Sequence, residues 1–197
     1  MKTKALKLLL TLLLVAACCA LSPTVTKAQA PPPPPAKDYF PNTWDEYSSK
    51  TGKFRIRFPK QPQESVKMQD EFEVSVLEYK GLIIYSASSV DYKTPIDDPQ
   101  QVKSMLQSIK AAALGSLKDR GLTVIAEREV TVDGHSGIFV HMEILGKEVF
   151  RVQWVAAGSR LYTVITSSRK GMAEEMEGKD DFEKVAMGFI NSFHVVP

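Results

Sequence analysis

The sequence predicts an α+β domain: an antiparallel sheet, largely a meander, carrying one inserted helix and one C-terminal helix. Three observations predict it. Apolar and polar residues alternate along seven stretches between Trp44 and Ser167, and an eighth run is apolar throughout, most of them separated by short glycine-bearing turns. Between Asp98 and Gly121 the apolar residues recur instead every three or four positions. The same helical period returns from about Asp181 to Phe193.

The first two stretches, Trp44 to Ser48 and Phe54 to Phe58, flank Thr51-Gly52-Lys53, a hairpin signal. Phe54, Ile56 and Phe58 share one face of the second arm, Arg55 and Arg57 the other, and Pro59 and Pro62 end it. Phe72 to Tyr79 alternates with Phe72, Val74 and Val76 inward, and Lys80-Gly81 turns it into Leu82 to Tyr85. That last run is apolar on both faces, which places it centrally in the sheet.

Asp98 then reads as an N-cap, with Pro99 at the first helical position and Gln101 at the capping-box position. Val102, Met105, Leu106, Ile109, Ala113 and Leu117 form the buried stripe, and Gly121 stops the helix. Leu122 to Val132, Ile138 to Leu145, Val149 to Val155 and Leu161 to Ser167 are four strands joined at Asp133–Gly137, Gly146-Lys147 and Gly158-Ser159. Short connections of that kind make an antiparallel meander. In the last helix Asp180 is the expected cap and Glu183 completes its box, while Phe182, Val185, Ala186, Phe189 and Ile190 form the apolar stripe.

Ahead of this domain lies an address. MKTK is a basic n-region, and Leu8 to Leu21 gives fourteen apolar or small residues interrupted only by Thr11. The run is short of the ~20 residues a bilayer needs but suits the h-region of a signal peptide. Two cleavage readings follow. Val15-Ala16-Ala17-Cys18 resembles the lipoprotein signal motif, which makes 1–17 the signal peptide and Cys18 the lipidated mature N-terminus. Cleavage after Ala28 or Ala30 would instead release a soluble protein; Pro31 disfavours the second of those cuts, and Thr26 is large for the first. Residues 18–37 contain the run Pro31 to Pro35, an extended, stiff tether. Residues 38–197 form the single domain. Cys18 and Cys19 are the protein's only cysteines, so the domain is expected to stand on its core without a disulfide, as a monomer.

Composition narrows the function. With 44% hydrophobic and 24% charged residues and a mean hydropathy of −0.14, the chain is neither a polytopic membrane protein nor wholly disordered. Its formal charge of +2 comes from the leader: outside the first thirty residues 21 bases face 23 acids. Nucleic acid is therefore not an expected partner, and Arg151, Arg160 and Arg169-Lys170 are dispersed without interleaved aromatics.

The residues that could carry chemistry point mostly to structure. His135 lies on a turn between Asp133 and Ser136, too close in sequence for a triad. His141 shares a strand face with Phe139 and Glu143, but zinc needs third and fourth ligands at motif spacing; His194 is an end residue. Asp97-Asp98, Glu174-Glu175, Glu177 and Asp180-Asp181 lack calcium-loop spacing and read as solvated carboxylates. No nucleotide-binding or nucleophile-elbow motif occurs, so no catalytic residue, metal or cofactor is expected. If the sheet holds a groove, Trp154, Tyr162 and Tyr85 are its aromatic candidates; Trp154 is also in phase with Phe150 and Val152, as a core residue would be.

Several motifs resemble bacterial exported domains with the PsbP-like α/β/α fold. They are the opening Trp44, Tyr47-Ser48, Gly52-Lys53-Phe54 and Phe58-Pro59 with Pro62; Val132 to Gly137; Arg160 to Val164; and the closing Phe189 to Phe193. The similarity runs in order through most of residues 40–195. It implies that fold, in a group containing a photosystem accessory subunit, a partner of a small GTPase and many bacterial lipoproteins, and it assigns no catalytic residue. The resulting expectation is a non-catalytic binding, accessory or assembly domain of the envelope, tethered by the lipid on Cys18. The alternative is a soluble periplasmic or secreted hydrolase-like enzyme.

Overall fold

Period-two stretches become strands and period-3.6 stretches become helices. In the computed structural model, residues 44–69, 72–92, 94–96, 98–171 and 179–197 are described. The leader, the tether, Cys18, Cys19, Asp97 and Glu174 to Glu177 lie outside them, as do the side chains of Asp180, Asp181 and Phe182. The strands are β1 Asp45–Ser49, β2 Phe54–Phe58, β3 Gln63–Gln69, β4 Phe72–Lys80, β5 Ile84–Asp91, β6 Leu122–Val132, β7 His135–Ile144, β8 Glu148–Ala157, β9 Arg160–Arg169 and β10 His194–Val195. The helices are α1 Pro99–Leu117 and α2 Lys179–Asn191.

Seven strands form one antiparallel sheet in the order β3-β4-β5-β9-β8-β7-β6, and β1-β2-β10 form a second. The meander β6 to β9 is present as expected, folding back so that β9 pairs with β5. The inserted α1 carries the chain from interior strand β5 to the far edge β6. Asp98 caps it, accepting hydrogen bonds from the backbone N–H groups of Gln100 (2.7 Å) and Gln101 (3.0 Å). Leu106, Ile109, Ala113 and Leu117 pack on Ile138, Val140, Met142, Phe150, Val152 and Trp154, one face of the large sheet. On the opposite face α2 and the small sheet bury Phe54, Ile56, Phe58, Phe189, Ile190 and Phe193 against Leu77, Tyr85, Ala87, Phe139, Tyr162 and Val164. Both faces are thus covered, with a helix on each.

Some elements differ from the expectation. The fifth strand begins at Ile84 rather than Leu82 and runs on to Asp91; Leu82, 62% exposed, belongs to the turn. Strands β3 and β10, absent from the sequence reading, pair with β4 and β2. The turn after β6 is two residues, because His135 already pairs with Val132. Asp133 (φ 48°) and Gly134 (φ 83°) occupy the left-handed region that such hairpins require. Helix α2 starts at Lys179, so Asp180 stands within its first turn instead of capping it, and it ends at Asn191, before Phe193.

Candidate functional site

Strand register decides which side chains meet beneath α2. On this face His141, Arg151, Thr166 and Tyr85 are successive partners across β7, β8, β9 and β5. Arg151 is only 4% exposed, and a buried guanidinium demands compensation. Glu183 supplies it from α2: Arg151 Nε donates to Glu183 Oε1 at 3.0 Å and Nη2 donates to Oε2, a two-pronged pair. Glu183 therefore ties helix to sheet rather than closing a capping box.

Beside this pair His141 and Tyr85 are both shifted toward their neutral forms. Burial, and then the Arg151 charge, push the His141 pKa below its usual value against the opposing pull of Glu183 and Glu143. Burial and neighbouring Tyr79 raise the Tyr85 phenol well above its ordinary range, although Arg151 acts the other way. Thr166 Oγ1 and Ser168 Oγ lie on the same strand face, buried and without a hydrogen-bond partner, so His141 does not engage either hydroxyl. Glu143 is taken by Lys170, whose Nζ donates to Oε2 at 2.7 Å. The expected aromatic candidates are core. Tyr85 stacks edge-on with Trp44 and Phe189, Tyr162 donates its hydroxyl hydrogen to Lys53 O, and Trp154 faces α1.

The open feature of this face lies one row away, between β6, β8, the end of α2 and β10. It is a groove of about 490 Å³ lined by Arg128, Val130, Gln153, Asn191, Phe193 and His194. Arg128, Phe139 and Gln153 are in register across β6, β7 and β8. The Arg128 guanidinium lies 4.7 Å above the Phe139 ring and makes no ion pair among the described residues. Gln153 is 4% exposed, yet its side-chain amide has no hydrogen-bond partner among the described residues.

At the groove's end His194 Nδ1 stands 3.2 Å from Asp133 Oδ1, and the Val195 N–H donates to Asp133 Oδ2 at 2.9 Å. Burial alone would raise the Asp133 pKa; the hydrogen bonds from His194 and Val195 and the charges of His194 and Arg55 outweigh it and hold the carboxyl below its usual value. A second groove of about 380 Å³ lies on the α1 side of β6, where Lys103 and Glu129 neutralise each other at 2.9 Å.

Of the three histidines, His135 opens a strand, His141 abuts the Arg151–Glu183 pair, and His194 joins Asp133 from 61 residues away. Among the described residues no three His, Cys, Asp or Glu side chains come together as a metal site. Arg128 and Gln153 were not singled out in the sequence. Their periodicity gives only a strand face, and the register that aligns them across β7 is a tertiary fact.

The chain is similar to the cyanobacterial PsbP (CyanoP) of Synechocystis sp. PCC 6803 with a TM-score of 0.50 and 12% identity, covering 82% of this chain and 98% of that one. It is also similar to a Pseudomonas aeruginosa protein of unknown function described as a putative regulator (TM-score 0.41, 12% identity, 75% and 95% covered). LpqN, involved in cell envelope biogenesis of Mycobacterium tuberculosis, matches with a TM-score of 0.38 and 14% identity over 82% and 83% of the two chains. No protein-family model and no curated protein matches the sequence. The fold is PsbP-like, an α+β arrangement with helices on opposite faces of an antiparallel sheet, as the opening and closing motifs implied.

Proposed function

We propose that this chain is an exported accessory domain of the cell envelope that recognises a partner or ligand without converting it. In this reading a lipid on Cys18 holds it to a membrane, and the proline run lifts the domain away from the surface. The observation that carries the recognition half is the groove of Arg128, Gln153 and Asn191: hydrogen-bond donors gathered at an opening with no nucleophile and base joined there. Nearby, Arg151 and Glu183 are spent on each other, and a neutral His141 has no hydroxyl to activate.

The test is cross-linking in living cells followed by detergent solubilisation and purification of the full-length protein. The expected result is a defined adduct, absent when the domain is unfolded by a core substitution such as Phe189→Asp. Recovery of the uncross-linked protein alone, together with turnover of ester, amide or glycoside reporters that is lost in His141→Ala, would replace this reading with an enzyme.

A further inference from the structure

Arg128 and Gln153 together have a chemistry that the protein leaves unused. The Arg128 guanidinium carbon lies 4.7 Å over the Phe139 ring centroid, a cation–π contact that holds this five-donor group at the groove. Among the described residues no carboxylate pairs with its N–H donors. Across the sheet, two strand spacings or about 10 Å away, Gln153 lines the groove at 4% exposure, and its side-chain amide makes no hydrogen bond to another described residue. An amide reached only through the groove and held by no other described side chain is placed to hydrogen-bond whatever enters there.

We infer that this groove binds a carboxylate carried next to an amide N–H, as at a peptide C-terminus or on an N-acylated amino acid. This inference rests on the recognition function proposed above. The planar fork of Arg128 matches the two oxygens of a carboxylate. The Gln153 carbonyl accepts from the adjacent N–H, a contact a bare phosphate or sulfate cannot offer. Val130 and Val132, half-buried along the same wall, offer apolar surface to a side chain. Asn191 at the exposed rim adds further amide hydrogen bonding.

The experiment is an NMR titration of the isotope-labelled protein, following the Gln153 side-chain amide and the Arg128 Nε–H. The probes are N-acetyl-leucine, its neutral counterpart N-acetyl-leucinamide, inorganic phosphate, and a pentapeptide ending in leucine with a free carboxylate. Saturable shifts of both groups with N-acetyl-leucine are expected, weakened at least tenfold for the neutral amide and for phosphate. Arg128→Gln and Arg128→Lys should each weaken binding about tenfold or more while signals of the α1-side core stay in place, because lysine keeps the charge but not the fork. Tighter binding of the pentapeptide marks a chain end as the source, and equal binding marks a free acylated amino acid. Equal affinity for the neutral amide, equal affinity for phosphate, or unmoved Arg128 and Gln153 signals with every probe would overturn the inference. If cross-linking in cells still captures a defined adduct after such a result, recognition lies on another surface and only the groove's assignment falls.

Discussion

Arg151 is the residue on which the α2 face turns. Its guanidinium is out of water, and Glu183, 41% exposed, reaches in from the helix to neutralise it. Removing one partner of such a pair strands a charge, whereas replacing both with apolar groups of similar volume does not. Glu183→Ala should lower the unfolding free energy by about 2–3 kcal/mol, less than for a fully buried pair because water reaches the glutamate side. The double replacement Arg151→Met with Glu183→Leu should recover most of that loss; urea unfolding of both variants checks it, and a double variant as unstable as the single one contradicts it. His141, beside them, adds a pH dependence. Its folded pKa lies below the ordinary 6.5, mainly through burial and then through Arg151. The unfolded chain therefore takes up the proton more readily, so stability is complete above pH 6.5 and declines as the pH falls below it. Unfolding curves between pH 7.5 and 5 should show this decline, and His141→Gln should flatten it; an identical slope in the variant would rule out His141 as the source. At this scale the sequence is silent about pairing. It offers Glu183 as a plausible box residue and Arg151 as a scattered surface base, and only the register of β7, β8 and β9 brings the two beneath one helix.

Elements were most legible where their period was strong and their ends were marked. Helix α1 has its proline, its Asp98 cap and an unbroken stripe, and it lies where those signals put it. The meander strands were legible because glycine punctuates them, and they erred only in length, since ladders extend into polar residues that alternation does not score. Strand β3 carries Val66 and Met68 on an exposed edge, with Met68 66% exposed, so burial imposed no pattern on it. Strand β5 runs through Ser86, Ser88 and Ser89, the last two of them buried, and β10 is two residues stitched to β2. Neither offers a hydrophobic period to read. One glycine at this scale is set by packing rather than by its torsion. A β-carbon on Gly137 would stand 2.5 Å from the Trp154 carbonyl oxygen in the neighbouring strand, and backbone cannot swing aside as a side chain can. Gly137→Ala should cost about 1–3 kcal/mol by overpacking. Gly146→Ala, which meets open space but keeps a φ of 62°, should cost about 1 kcal/mol through the left-handed strain alone. Thermal unfolding of the two variants ranks them, and the reverse order would contradict the close-approach argument.

The whole molecule is two cores back to back across one sheet, α1 on one side and α2 with β1, β2 and β10 on the other. That division was half legible. Each helix stripe demanded a sheet face to cover, but nothing local says that the two helices take opposite faces, or that the N-terminal hairpin shares the second face with α2. The α/β/α resemblance over most of residues 40–195 supplied the first point; the second, that β1 and β2 leave the large sheet and join β10, comes only from the structure. With the sheet covered on both sides, the proposed recognition falls to its rim, where the β6–β7 hairpin is fastened by Asp133 to β10 and the groove of Arg128 and Gln153 opens. In the proposed function the domain works where it is held, and the proposed hold is Cys18. Two or three acyl chains on one cysteine, each buried CH₂ contributing about 0.8 kcal/mol, would make release negligible. The direct measurement is detergent phase partition of cells producing the wild type, Cys18→Ser and Cys19→Ser, with intact mass of each product. The account predicts wild type and Cys19→Ser in the detergent phase with a diacylated residue 18 at the N-terminus, and Cys18→Ser as an unprocessed precursor or a soluble form cut near Ala28. Wild type wholly in the aqueous phase, beginning at Gln29 or Pro31, would contradict it.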